Sequence, residues 1–185
     1  AARAQPAPAT AGGTEIIAAC RREARNVLEP EAYALLKMHG IAVPEHRLLT
    51  TPRDADAIAA SFTPESLAMK VVSRDVLHKS EAGGVKLNLA GGAALAKAFE
   101  DIKRDVLVHH PRADIAGMLV TPMAKPGTEL IIGITQDPQY GPVIMLGLGG
   151  IFVEVIRDSV FRALPLTRID AQEMIAELRY QEMLN

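Results

Sequence analysis

The sequence has 185 residues, which is enough for one ordinary domain or two small packed lobes. Because 49% of the residues are hydrophobic and 23% are charged, the chain can build a core, and disorder throughout is excluded. A net charge of -2 and the absence of Trp offer nucleic acid neither an attractive field nor a stacking surface. The apolar runs are too short to predict a membrane span, and the single Cys20 excludes an internal disulfide. We therefore expect a cytoplasmic protein with no nucleic-acid partner and no membrane partner.

The N-terminal third predicts a linker and then a scaffold. Residues 1–13 are rich in Ala, Pro and Gly and lack an initiator Met, so they predict a flexible linker in a piece of a longer chain. Residues 14–66 predict a helical and extended scaffold segment. Its first helix opens at Thr14 and keeps a helical apolar spacing through Leu28, and a second helix ends at Gly40. An extended run and a short capped helix complete the segment.

Residues 67–128 predict a first lobe of mixed helix and strand. Residues 67–72 and 85–90 are strand-like, and a polar, Gly-containing connection joins them. A long amphipathic helix is expected from Gly91 to about His109, followed by a further strand. Together these elements predict a compact α+β unit.

Residues 129–185 predict a second lobe. Strand-like patterns cover residues 129–137, 142–150 and 151–160, with Asp-Pro and Gly turns between them. A helix is expected from Asp170 after a short loop. The fold class predicted for the whole chain is α+β.

The segment from Lys70 to Lys86 concentrates the candidate chemistry. It combines a strand-borne lysine, the His78-Lys79 pair and the Gly83-Gly84 turn, which are the parts of a phosphate cradle. The sequence contains neither a P-loop run nor a Gly-x-Gly-x-x-Gly run that opens a helix, so those two mechanisms do not apply. The residues alone fit a glycine hairpin with surface lysines equally well.

Two runs carry a family resemblance. Lys70 with HKSEAGGVKLNL, and then GTELIIGITQDPQYGPVIMLGLGGIFVEVIRDSVFRALPL, are similar in order and spacing to the ATP-grasp domain of NDP-forming acyl-CoA synthetases, over about residues 28–180. This is the acetate–CoA ligase (ADP-forming) family. The resemblance implies an ATP-grasp fold, with two α+β lobes, the nucleotide between them and helices preceding them. The family's Gly-Arg-Gly segment would follow residue 185, so the chain is expected to be a module that is inactive alone.

The resemblance also implies a reaction and its participants. The family converts acid, CoA and NTP to acyl-CoA, NDP and phosphate through phosphohistidine. ATP or ADP, or GTP or GDP, would bind with Mg²⁺, and a CoA-binding and CoA-ligase portion would be the partner, on the same longer chain or on a separate subunit. A nucleotide-sensing or assembly domain in a fused protein, such as an acyltransferase with a synthetase-like portion, is the alternative. An unrelated α+β interaction domain is a third reading.

Site residues follow from the same resemblance. His78 is the implied phosphoryl carrier, because a neutral imidazole is a good nucleophile at phosphorus. Without the resemblance, a histidine in a polar loop is usually a solvated residue. The phosphates would meet the lysines and the glycine turn, the backbone of residues 120–123 would read the adenine edge, and an acid at the hinge would accept the ribose hydroxyls. The implied nucleotide-binding residues are Lys70, Lys79, Gly83, Gly84, Val85, Val120, Met123 and Glu129.

A metal site is predicted in the second lobe. Glu154 and Asp158 are four residues apart in a strand-like run, so strand alternation places them on one face. Paired carboxylates suit Mg²⁺. Two exposed strand acids beside Arg157 are the alternative interpretation.

Overall fold

The computed structural model describes residues 11–62, 66–150, 158–180 and 182. The chain divides into two compact units, with the boundary between Ala124 and Lys125. No helix of these described residues is long and apolar enough to cross a membrane. The first unit contains α1 (Ala11–Arg22), α2 (Glu29–Met38), β1 (Arg47–Leu49), a 3-10 turn (Pro52–Asp54), α3 (Ala55–Ala60), β2 (Leu67–Ser73), β3 (Val85–Leu89), α4 (Gly91–His109) and β4 (Ile115–Pro122). The second unit contains β5 (Leu130–Asp137), β6 (Gly141–Leu148), β7 (Ser159–Ala163) and α5 (Arg168–Glu177).

The first unit is built on an antiparallel sheet with the strand order β1-β4-β2-β3 among its described residues. Leu67, Met69 and Val71 of β2 join the core that α4 closes with Leu95 and Ile102. Because successive side chains of a strand point to opposite faces, the even-numbered residues of β2 lie on the other face of the sheet. The sequence prediction of strands, a long helix and a further strand in this region is confirmed.

The second unit is an antiparallel sheet, in the order β5-β6-β7 for the described residues, packed against α5. Leu146 contributes to a small core with Met174 and Leu178. The capping box of α5 pairs Thr167 with Asp170, so the helix begins at Arg168, ahead of the expected start at Asp170.

The first predicted helix is too long at its C-terminal end. α1 ends at Arg22, whereas the apolar spacing predicted a helix through Leu28. Ala24 adopts a left-handed conformation with φ of 48°, and the N–H of Arg25 donates to the C=O of Cys20 at 3.0 Å. This Schellman arrangement satisfies the last carbonyls of α1, and Leu28 becomes the N-cap of α2 instead.

The N-terminal end of α1 also differs from the prediction. The helix begins at Ala11, inside the predicted linker of residues 1–13, whose first ten residues lie outside the described residues. A Cβ on Gly12 would lie 3.1 Å from the Cε of Met38, so this glycine allows α1 to approach α2 closely. Packing against α2 therefore extends the helix into a stretch of low intrinsic propensity.

The C-terminal strands shift as well. β7 covers Ser159–Ala163 and includes residues that were expected in the loop before the last helix. Residues 151–157, most of the third predicted strand of this unit, lie outside the described residues. Val143 of β6 pairs with Ala163, and this pairing extends β7 beyond its predicted end.

The helix ends give a matched pair of substitutions. α2 ends in the same arrangement as α1, but with Gly40, whose φ is 73°, at the left-handed position. An L side chain costs about 1 kcal/mol in this conformation, so Ala24→Gly should stabilise the chain by about 0.5–1 kcal/mol and Gly40→Ala should destabilise it by a similar amount. Urea unfolding followed by circular dichroism measures both changes.

The control is Ala18→Gly in the interior of α1, which should lower the free energy of unfolding of the chain by about 0.5–1 kcal/mol. Loss of stability in both Ala24→Gly and Ala18→Gly would contradict the left-handed assignment at Ala24.

Candidate functional site

Two lysine side chains converge on one glutamate in the first unit. Lys70 is the only residue of β2 whose side chain is not buried, and its Nζ donates to Glu29 Oε1 at 3.0 Å. The Nζ of Lys79 donates to Glu29 Oε2. Glu29 is the first residue of α2, where the helix dipole favours a carboxylate. Two ammonium groups and one carboxylate leave this cluster with a net positive charge.

The carboxyl group of Glu29 is held in its ionised form. Burial raises its pKa, but the hydrogen bonds from Lys79 and Lys70 lower the pKa by more, so that it lies below its usual range. Tyr33 Oη donates to Glu29 Oε1 at 3.1 Å. Burial, with the nearby Glu29 charge, raises the pKa of Tyr33 to about 12, so the phenol stays a donor at neutral pH. The ring of Tyr33 packs edge-on against His46, with the ring centroids 4.9 Å apart.

A tight loop fixes the backbone of Lys79. The N–H of Gly84 donates to the C=O of Lys79 at 2.7 Å, and the N–H of Gly83 donates to the C=O of Ser80 at 3.2 Å. Gly83 has a φ of 69°, and a Cβ on Gly84 would lie 2.6 Å from Val71 Cγ1. Both positions therefore require glycine. The two amides predicted to cradle phosphate close this loop instead, so a phosphate can reach them only after these bonds break.

A cavity of about 550 Å³ opens beside the ion cluster. It brings together four residues that the sequence assigned to one site, namely Lys70, His78, Lys79 and Val85. The side chain of His78 is 81% exposed, and its Nδ1 lies 4.0 Å from Glu81 Oε1. The cavity is lined by Glu29, Lys70, Leu77, His78, Lys79, Ser80, Glu81 and Val85.

His78 also borders a second cavity, of about 420 Å³. Asp75, His109 and His110 contribute to its lining. The sequence placed these two histidines at the end of a helix, and His109 does interact with the helix, because its Nδ1 lies 3.0 Å from the C=O of Asp105. An exposed imidazole that lines two cavities can be reached from either one.

The predicted adenine-reading backbone belongs to β4 and the residue that follows it. The Val120 side chain is completely buried in the core, and its residue pairs with Arg47 on one side and Met69 on the other. The N–H of Met123 donates to the C=O of Ser66 at 2.8 Å. A base could bind only those backbone N–H and C=O groups that make no hydrogen bond within the sheet. Adenine recognition at these residues stays a prediction.

The second unit holds the remaining predicted residues. The C=O of Glu129 accepts the N–H of Gly149 at 2.7 Å, and a Cβ on Gly149 would lie 3.0 Å from the Cβ of Glu129. A glycine there lets the start of β5 meet the end of β6 closely. Glu129 itself is exposed. Its side chain is therefore accessible to a ligand.

The predicted metal pair is only partly described. Asp158 is buried, and its two carboxylate oxygens accept the N–H groups of Arg179 and Tyr180 at 3.1 and 3.2 Å. Glu154 lies outside the described residues. No cluster of three or more potential metal ligands occurs within the part of the chain that the structure describes. The assignment of these two acids to Mg²⁺ stays a prediction.

Glu29 is the member of the site that the sequence did not reveal. It lies 41 residues before Lys70 and 50 before Lys79. An acid before Pro30 is an ordinary feature of a first helical turn, so its local pattern explains it fully without any partner. Only the two side-chain bonds in the folded structure show that the carboxylate is shared.

Comparison with known proteins identifies the family. The profile of a family described as an ATP-grasp domain matches residues 18–185. The chain is 40% identical over 173 residues to subunit beta of acetate–CoA ligase [ADP-forming] I of Pyrococcus furiosus. The matched region covers 92% of this chain and 73% of that subunit. Family membership and the ATP-grasp fold, both expected from the resemblance, are confirmed.

Solved structures agree with this result. The dinucleotide forming acetyl-coenzyme A synthetase 1 of Ca. Korarchaeum cryptofilum, in complex with coenzyme A, Ca-AMPCP and HgCl+, has a TM-score of 0.83 and 38% identity, over 92% of this chain and 75% of that one. A second structure of that protein, with coenzyme A and Mg-AMPPCP, is described with its phosphohistidine segment pointing towards the nucleotide binding site. It has a TM-score of 0.69 and 36% identity, over 92% of this chain and 72% of that one. The chain therefore belongs to the ATP-grasp domain family of ADP-forming acyl-CoA synthetases.

Proposed function

We propose that this chain binds the phosphates of ADP or ATP through Lys70 and Lys79 and relays a phosphoryl group through His78. The observation that carries this proposal is the cavity in which both ammonium groups and the imidazole meet. Phosphoryl transfer spreads negative charge over the phosphate oxygens, and prepositioned cations stabilise that charge without reorganisation. Two ammonium groups held on one carboxylate are such cations.

The nucleotide is an adenine nucleotide in this proposal. Proteins of the ATP-grasp family use a nucleotide with Mg²⁺. The Korarchaeum protein is described in complex with AMPCP and with AMPPCP, both adenine analogues. Glu129, at the exposed start of β5, would accept hydrogen bonds from the ribose hydroxyls.

Asp158 fits a role as a ligand of Mg²⁺. Its two bonds from backbone N–H groups hold the carboxylate in one orientation and leave further lone pairs on both oxygens. Hydrogen bonds that orient a ligating carboxylate in this way are usual at metal sites. When bound, Mg²⁺ would neutralise charge on the phosphates, and Glu154 would be the second carboxylate.

The relay at His78 requires a free ring nitrogen. That nitrogen attacks the phosphorus of an incoming phosphoryl donor, so a P–N bond forms while the donor's bond to phosphorus breaks. A terminal oxygen of ADP then attacks the same phosphorus, and the P–N bond breaks to restore the neutral imidazole. Lys70 and Lys79 would hold the phosphates of ADP during this second step.

The donor comes from another part of the synthetase in this proposal. A CoA-binding and CoA-ligase portion, on the same longer chain or on a separate subunit, would form the acyl phosphate and its own phosphohistidine. The second cavity that His78 lines would be the approach route for that segment, because the imidazole borders this cavity as well as the one that holds the two lysines. The complete reaction would interconvert acyl-CoA, ADP and phosphate with acid, CoA and ATP, and the relay steps through His78 run towards ATP.

Replacing either lysine should weaken phosphate binding selectively. We expect Lys70→Met and Lys79→Met each to lower the affinity for Mg-ADP by about tenfold or more, because a charge-assisted hydrogen bond contributes about 1.5–3 kcal/mol. Affinity for adenosine should stay within about twofold. Isothermal titration calorimetry measures both, and Lys97→Met, which removes an exposed lysine of α4, is the matched control. Unchanged Mg-ADP affinity in both site variants would contradict the proposed phosphate site.

Replacing His78 should separate binding from transfer. Glutamine keeps a similar shape and hydrogen-bonding groups but lacks a nitrogen that can attack phosphorus. In the synthetase assembled with its CoA-binding portion, His78→Gln should keep Mg-ADP affinity within about threefold and lower ATP formation from acyl-CoA, phosphate and ADP at least 100-fold. The matched control is His39→Gln, at the end of α2. Turnover of His78→Gln within a few-fold of the parent would remove His78 from the relay.

A further inference from the structure

We propose that Glu29 is a positioning residue that makes Lys70 and Lys79 into a single phosphate-binding pair. The inference rests on the nucleotide function proposed above and adds a residue that does not itself touch the phosphate. One oxygen of the carboxylate accepts from Lys70 and the other accepts from Lys79, so the distance between the two ammonium groups is set by one rigid group.

The depth of the three side chains supports this role. The Glu29 side chain is 18% exposed, whereas those of Lys70 and Lys79 are 33% and 24% exposed. The Glu29 side chain is therefore the most buried member of the cluster, and the two lysine side chains are more exposed to solvent. Each ammonium has three N–H donors, and Glu29 is the only hydrogen-bond or ion-pair partner of either one among the residues that the structure describes. The remaining donors are available to an anion in the cavity.

A hydrogen bond from Tyr33 holds the Glu29 carboxylate in place. Tyr33 lies one helical turn after Glu29 on α2, and its hydroxyl donates to Glu29 Oε1. The Tyr33 ring in turn packs against His46. If Glu29 were a temporary substitute for phosphate, it would have to break this bond and leave the first turn of α2 whenever a nucleotide arrived. The anchored geometry favours a carboxylate that stays in place.

Protein kinases also use a lysine–glutamate pair to bind the phosphates of a nucleotide. In those enzymes a lysine on a strand must pair with a glutamate on a helix before it can hold the phosphates of ATP. Lys70 on β2 and Glu29 on α2 form a pair of the same chemical kind, and here the glutamate also holds a second lysine.

Charge repulsion is the competing effect. A carboxylate near a phosphate repels it, so a glutamate that merely neutralised the lysines would weaken nucleotide binding. Removing the Glu29 charge therefore changes nucleotide affinity in opposite directions, depending on whether Glu29 positions the lysines or competes with the phosphate for them. A positioning residue predicts weaker binding in Glu29→Gln, because the lysines lose their common anchor, and a competing counter-ion predicts tighter binding.

The deciding experiment is calorimetric titration of Glu29→Gln with Mg-ADP and with adenosine. We expect Mg-ADP affinity to fall about tenfold and adenosine affinity to stay within about twofold. The control is Glu31→Gln, an acid in the same helical turn that pairs with Arg25, and it should keep Mg-ADP affinity within about twofold. Unchanged or tighter Mg-ADP binding by folded Glu29→Gln would overturn the positioning role.

A mutant cycle separates positioning from a general effect on stability. In the Lys70→Met/Lys79→Met background there are no ammonium groups left to position, so adding Glu29→Gln should change Mg-ADP affinity by less than twofold. A further loss of several-fold in that background would show a structural role and overturn the proposal. If instead the lysine variants alone bind Mg-ADP normally, the proposed phosphate site fails, whatever Glu29 does.

Tyr33→Phe is the milder variant and covers the case in which Glu29→Gln folds poorly. It removes one hydroxyl and keeps the ring against His46. The loss of one anchor should lower Mg-ADP affinity by about threefold, with adenosine affinity unchanged. Full Mg-ADP affinity in Tyr33→Phe together with a misfolded Glu29→Gln would count against the anchored carboxylate.

Discussion

One half-buried carboxylate organises the charged site of this chain. Lys70 lies on a strand whose other residues are all buried, so its ammonium group needs a counter-charge close by. Glu29 supplies that charge and simultaneously holds Lys79. Burial raises the pKa of Glu29, but the hydrogen bonds and the positive charges of the two lysines together lower it by more. The carboxylate therefore stays charged from neutral pH down to below the usual range of a glutamate, and the pair of lysines persists over the same range.

The rest of the first unit positions these three groups. The even-numbered face of β2 presents Lys70 to α2, while its odd-numbered face is fixed by the core beneath α4. The glycines of the loop after β2 fix Lys79, since any Cβ on Gly84 would collide with Val71. His78 precedes this constrained turn, remains exposed and lines two cavities. The proposed relay needs this exposure, because the imidazole would have to meet two partners in succession.

Much of this arrangement could be predicted from local sequence. The strand around Lys70 and the helix that ends at His109 follow from local patterns. The grouping of Lys70, His78, Lys79 and Val85 follows from the family resemblance, and one cavity brings these four residues together. The contact with Glu29 could not, because it depends on how α2 packs and no local signal encodes that. The left-handed Ala24 was equally hidden, since alanine is a helix former and the ion pairs of the neighbouring Arg25 with Glu23 and Glu31 are visible only in the structure.

A crystal structure of the chain with Mg²⁺ and a non-hydrolysable ATP analogue tests the account most directly. Oxygens of the phosphate chain should lie within about 3.2 Å of the Nζ atoms of both Lys70 and Lys79. Both ammonium groups should still contact Glu29 in that complex. Phosphates bound away from both lysines, or a Glu29 side chain turned out of the cluster in the complex, would contradict the account.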